Sequence, residues 1–210
     1  FIESRPVDAS FVIDQMLVGA AELEIDAERV GMSGHSFGGW TTLKTVETDA
    51  RIKAILPLAP AGGRAGDDEN PMPSALSFDW QRRVPALYIV SDLDSILPLV
   101  GMRDLYQRNP DPKTTVVLEN ADHFHFNDNV EETQDGFMLV IEAANADADE
   151  ETRKAVSEMK SLMKPSTELV PGSHAYALIN GLGLAHFDCH LRNHEGATAM
   201  LRRDIVALMA

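Results

Sequence analysis

Four short segments are almost unbroken runs of apolar residues: RVGMS at 29–33, IKAILPLAP at 52–60, VPALYIV at 84–90 and TTVVLEN at 114–120. They do not alternate apolar with polar residues, as a strand wetted on one face does. Continuous runs mark strands covered on both faces, which is the situation of a parallel sheet. Parallel neighbours need crossover connections, and the intervening segments carry helical spacing. Residues 9–20 place Val12, Met16 and Ala20 on one side with Ile13 and Leu17 beside them, and Asp8 stands as a cap. A helix continues over 41–47, and another beyond Pro98 carries the stripe Leu99, Met102, Leu105 and Tyr106. The expected fold class is therefore α/β, a parallel sheet with helices on both faces. At 210 residues the chain reads as a single domain, 1–210, large enough to bury a core.

Three stretches depart from the alternation. Residues 61–80 are rich in Gly, Pro and Asp and read as a long loop after a strand's C-terminal end, where open α/β sheets bind ligands. Residues 131–164 form an acidic, helix-prone excursion with an apolar stripe at Val156, Met159, Leu162 and Met163, stopped by Pro165. Residues 174–209 read as two helices broken near Asn193 and Gly196. Charge narrows the partners: 33 acidic against 18 basic residues give a net charge of −15, which argues against nucleic acid. No apolar run approaches the length of a membrane span. No signal peptide is recognised, so the compartment is left open. The single cysteine, Cys189, excludes an intrachain disulfide.

The densest signal is VGMSGHSFGGWTTL at 30–43. G-H-S-F-G matches G-x-S-x-G, with a buried strand before it and a helix after it. A strand that turns sharply into a helix strains the middle residue, and the residues two positions to either side must be small where the two backbones meet. The hydroxyl of Ser36 then stands at a helix N-terminus, which favours developing negative charge, and the amide of Phe37 points toward an oxyanion. A serine needs a base oriented by a third group. The third run ends in SDLDSILP, offering Asp92 and Asp94, of which Asp94 is better placed to turn toward the top of the sheet. The fourth ends in NADHFHF, offering His123 and His125, with His123 favoured. Serine, acid and histidine fall at strand ends in the chain order that this kind of site uses.

The chain resembles the α/β-hydrolase superfamily, and within it dienelactone-hydrolase and platelet-activating-factor-acetylhydrolase-like esterases. The resemblance rests on RPVDASFVIDQML, RVGMSGHSFGGWTTL, DSILP, NADHFHF and HFDCHLRNHEGA, and leaves 131–164 uncovered. It implies a serine esterase with Ser36, Asp94 and His123 as a triad, a small-molecule ester as substrate, and no cofactor. Two local departures stand out: Ser91 three residues before the acid, and Asp122 directly before the histidine, where glycine is common. Asp122 is expected to raise the basicity of His123. The resemblance also implies strands ahead of the one bearing Ser36. The expectation is thus an N-terminally truncated member whose strand near Val30 is covered by a second copy or a partner, with the second oxyanion donor unassigned.

Trp80, Leu97 and Phe124 are candidates for the substrate pocket. His186, His190 and His194 recur every four residues, but Leu184, Phe187 and Leu191 occupy the opposite face of that helix, so the histidines are expected to point to solvent or a partner and no metal site is assigned. Two other readings fit the same residues: a peptidase, thioesterase or acyltransferase using the same triad, or a non-catalytic remnant that binds a partner.

Overall fold

The computed structural model describes residues 2–19, 22, 24–65, 71–144 and 149–203. In chain order the elements are α1 (Ser4–Val18), β1 (Val30–His35), α2 (Phe37–Thr48), β2 (Ile52–Leu58), α3 (Pro71–Ala75), β3 (Ala86–Ser91), α4 (Leu99–Arg108) and β4 (Lys113–Leu118). A 3-10 turn (His123–Phe126), α5 (Val130–Ala144), α6 (Glu150–Leu162), a second short turn (Ser166–Glu168), α7 (Gly172–Arg192) and α8 (Glu195–Leu201) follow. The four apolar runs are the four strands, all parallel, in the order β1-β2-β3-β4.

The central strand β3 shows why the runs are continuous: all six of its residues are buried. Ala86, Tyr88 and Val90 face a core shared with Trp40, Leu43 and Val46 of α2 and Met102 and Leu105 of α4. Leu87 and Ile89 face the other way, onto Leu182 of α7 and Leu118 of β4. Each large side chain so enclosed contributes about 1.5–3 kcal/mol. The Tyr88 hydroxyl is inside too, and it donates to Asn109 Oδ1 at 2.8 Å, which satisfies that hydroxyl. Helices therefore cover both faces, as the strand composition requires.

Four expectations are corrected in detail. α1 begins at Ser4, so Asp8 lies inside the helix, 3.6 Å from Arg5, rather than capping it. Its buried side holds Ile13, whereas Val12 and Met16 are 57% and 47% exposed, because α1 packs on α2 along one stripe only. Ala20 falls outside the described residues. Second, the 61–80 segment is not all loop, since α3 forms within it; its residues 66–70 lie outside the described residues. Third, the 131–164 excursion is helical as expected, in two helices, α5 and α6, but Leu162 of its expected apolar stripe is 61% exposed, and Gln134 of α5 is fully buried.

Fourth, α7 meets the sheet with a wider face than expected: Phe187 and Leu191 lie against β1 as read, but Leu184 does not face the sheet and His186 does. Gly183 comes so close to β2 that an added Cβ would stand 2.8 Å from a methyl of Leu56. That approach turns Leu182, Ala185 and His186 inward and leaves Leu184 64% exposed. His186 is thus buried at 4% exposure, while His190 and His194 are exposed. Among the described residues no three metal-ligating side chains gather. Asn193 ends α7 in a left-handed conformation (φ 52°, ψ 37°), and α8 starts two residues later, matching the expected break; the end of the 174–209 stretch lies outside the described residues. Among the described residues β1 pairs only with β2, so the strand near Val30 ends the sheet. Among them, too, no helix is long and apolar enough to cross a membrane.

Candidate active site

β1 passes into α2 through a single strained residue. Ser36 has φ 57° and ψ −118°, a conformation that L-residues avoid and that costs about 1–3 kcal/mol. The neighbourhood shows how it is held. Ser36 donates its N–H to Leu58 O on β2 at 3.0 Å, and its carbonyl accepts from Trp40 and Ala61. The strand and helix nearly touch: a Cβ on Gly34 would stand 2.3 Å from Gly38 O, and one on Gly39 would stand 2.8 Å from Pro60. The need for a small residue falls on 34 and 39. Position 38 has open space around a Cβ, which departs from the expectation that both residues two away from the serine must be small.

The elbow leaves the Ser36 hydroxyl at the C-terminal end of the sheet. Two further loops reach it. The loop after β4 brings His123, whose Nε2 lies 3.0 Å from Ser36 Oγ. The loop after β3 brings Asp94, whose Oδ2 lies 2.9 Å from His123 Nδ1. His123 and Asp94 are both buried. Asp94 is fixed in turn, since its Oδ1 accepts the N–H groups of Ile96 at 3.0 Å and Leu97 at 2.6 Å. With Nδ1–H donated to Asp94, Nε2 is left as the acceptor for the serine O–H. Asp92 does not meet the imidazole; its Oδ1 accepts from Ala121 N–H at 3.2 Å. His125 does not meet the serine: its Nδ1 accepts from Asp122 N–H at 2.9 Å and its Nε2 donates to Val170 O at 2.9 Å.

Phe37 is the first residue of α2, with its ring stacked 5.5 Å from Trp40. Phe124 is half-buried, its ring edge-on to His123 at 5.8 Å and 4.8 Å from Phe137 of α5. Leu97 packs, partly buried, at the edge of the core. Trp80 is placed otherwise than a pocket residue: it is 4% exposed inside the α2 and α4 core, beside Phe78.

Three supporting residues carry weaker sequence signals. His35 sets its ring 4.5 Å from that of His123, tilted to it by 43°, and stacks 5.3 Å from Phe126. Burial, reinforced by the nearby His123, lowers its pKa to about 4, so it is neutral near pH 7 and adds no charge beside a protonated His123. It occupies the variable position of G-x-S-x-G, where the motif says nothing. Ser95 and Gln134 both bind Asp122. The Asp122 carboxylate is buried at 1% exposure, and its four bonds go to Ser95 N–H and Oγ–H, His123 N–H and the Gln134 amide, none to the imidazole. Its bonds thus reach the loops that carry Asp94 and His123. Gln134 lies in the excursion, and nothing in its local sequence marks it.

This arrangement has relatives. A family profile described as PET hydrolase-like matches residues 13–140, more than half of the chain and the span that holds all three side chains. Cutinase 2 of Thermobifida cellulosilytica is 32% identical over 129 residues, which are 58% of this chain and 44% of that protein. Cutinase cut1 of Thermobifida fusca is 32% identical over 129 residues, 58% of this chain and 36% of that protein. The chain thus spans less than half the length of these relatives. A solved structure of a ferulic acid esterase from Streptomyces cinnamoneus superposes with a TM-score of 0.60 at 22% identity, covering 98% of this chain and 52% of that one, a likeness of fold. These matches do not support the finer placement among dienelactone-hydrolase-like esterases. With an α/β-hydrolase sheet and a profile match running through its serine, acid and histidine loops, the chain belongs to the PET hydrolase-like family.

Proposed function

We propose that the protein is a serine hydrolase of carboxylic esters. The observation that carries this reading is the hydrogen-bonded line from Ser36 Oγ through the His123 imidazole to Asp94, at 3.0 and 2.9 Å. Ser36 Oγ attacks the ester carbonyl carbon as its proton passes to His123 Nε2. Asp94 holds the tautomer and stabilises the imidazolium that forms. The carbonyl oxygen becomes an oxyanion at the positive end of α2, where the Phe37 amide donates to it. Collapse expels the alcohol with the proton from His123 and leaves an acyl group on Ser36. Water, deprotonated by His123, then attacks the acyl carbon and releases the acid.

The class of substrate follows from the family. The relatives are named as cutinases and a bis(hydroxyethyl) terephthalate hydrolase, all names for ester cleavage. Phe124 and Phe137 offer apolar surface beside the imidazole for the acyl or alcohol group. The test is labelling with a fluorophosphonate and turnover of p-nitrophenyl esters of varied chain length. Labelling and turnover that both vanish in Ser36→Ala are expected. Turnover at the native rate in Ser36→Ala, or a native protein that neither labels nor turns over, would refute the proposal.

A further inference from the structure

Two triad members come from separate loops, and one buried side chain joins those loops. Asp122 directly precedes His123, and Ser95 directly follows Asp94. Asp122 Oδ1 accepts from Ser95 N–H at 2.8 Å, Ser95 Oγ–H at 2.8 Å and His123 N–H at 2.7 Å. Its Oδ2 accepts from Gln134 Nε2 at 2.9 Å, and that same amide also donates to Lys164 O at 2.9 Å. Among the described residues Gln134 Oε1 is buried with no partner, so the amide is oriented by what it donates. Among them, too, no cation pairs with the carboxylate; its bonds come from Ser95, His123 and Gln134. A buried carboxylate is costly to hold unless its oxygens are fully bonded, and here the bonds converge from three elements.

The consequence is geometric. Asp94 is tied within its own loop by Ile96 and Leu97, and His123 is tied within its own by the Asp122 cap. Neither set of bonds fixes one loop against the other. Leu93 N–H to Ala121 O and Ala121 N–H to Asp92 also join the two loops, but among the described residues Ser95–Asp122 is the pair in which each partner adjoins a triad member. Displacing a reacting group by about 1 Å costs on the order of 100-fold in rate.

We propose that Asp122 is a positioning residue: with Ser95 and Gln134 it sets the separation of the acid and histidine loops, so that Asp94 meets Nδ1 of His123. The proposal rests on the triad reading above. It gives a reason for aspartate directly before the histidine, since a side chain with several acceptor sites can gather these donors.

The experiment measures kcat per titrated active site, KM and melting temperature for Asp122→Ala, Asp122→Asn and Ser95→Ala. It adds the downfield Nδ1–H proton resonance of His123. For Asp122→Ala kcat is expected to fall about 10–100-fold with KM within about twofold, and the resonance to broaden or disappear. Asn keeps an acceptor for Ser95 and His123, so Asp122→Asn is expected to recover most of that loss, and Ser95→Ala to lower kcat by about threefold. A folded Asp122→Ala with native kcat per titrated site overturns the proposal, however far its melting temperature moves. Should that variant not fold, Asp122→Asn and Ser95→Ala decide: lowered kcat with unchanged KM supports it, and native kcat in both overturns it. Failure of the triad reading itself shows differently, as turnover that survives Ser36→Ala.

Discussion

His186 makes acid lability a measurable property of this fold. Its ring lies between α7 and the sheet, at 4% exposure, and Nε2 is buried with no hydrogen-bond partner among the described residues. Burial lowers its pKa from 6.5 to about 4, and the neighbouring His190, 4.8 Å away ring to ring, acts in the same direction. The folded pKa is the depressed one, so the unfolded chain binds the proton more readily. The contribution to stability is therefore complete above pH 6.5 and is lost as pH falls from 6.5 through about 4. Over the full window the shift amounts to about 3 kcal/mol, and between pH 7 and pH 5 to about 2 kcal/mol. His186→Leu fills the site with an apolar group of similar size and removes this titration. Urea denaturation of both proteins at pH 7 and pH 5 isolates the effect, because carboxylates common to both cancel. The native protein is expected to lose about 2 kcal/mol more than the variant over that interval. At pH 7 the variant is expected to be at least as stable, since a buried unpaired nitrogen has been removed. Equal pH dependence in the two proteins would refute the reasoning.

Two further predictions concern the site. Gly34→Ala places a Cβ 2.3 Å from Gly38 O, and neither backbone can yield without opening the elbow. It is expected to cost several kcal/mol, of the order seen for overpacking, as a lowered melting temperature or loss of folded protein. Gly38→Ala meets open space in a helix and is expected to raise stability by up to about 1 kcal/mol; a comparable fall in both variants would refute the steric assignment. Asp94→Asn should lower kcat by about 10⁴-fold by releasing the His123 tautomer, while Asp92→Asn, whose carboxylate accepts from Ala121 N–H and does not meet the imidazole, should stay within about tenfold. Steady-state ester hydrolysis checks the pair, and the reverse order of effects would move the acid's role to Asp92.

The parallel sheet was legible because its signal is local and redundant. Four continuous apolar runs, each followed by helical spacing, admit few architectures, and β3 buries every residue as its composition requires. The elbow was legible for the same reason: a strained serine and a backbone contact between positions 34 and 38 leave glycines in a five-residue window. The loops bearing Asp94 and His123 could be found because chain order and strand ends restrict them.

What the sequence left open depends on partners far apart in the chain. The choice of Asp94 over Asp92, and of His123 over His125, is made by which side chain the turns aim at Ser36, 87 residues from His123. The inward face of α7 is set by how closely Gly183 lets the helix approach Leu56, a contact that 3.6-residue spacing does not encode when apolar residues lie on both sides. Gln134 becomes part of the site because α5 folds back over the histidine loop, and a buried amide bonded to Asp122 looks, in sequence, like any polar residue on an acidic helix. Local periodicity decides what an element is; only the packing of distant elements decides which of its side chains meet.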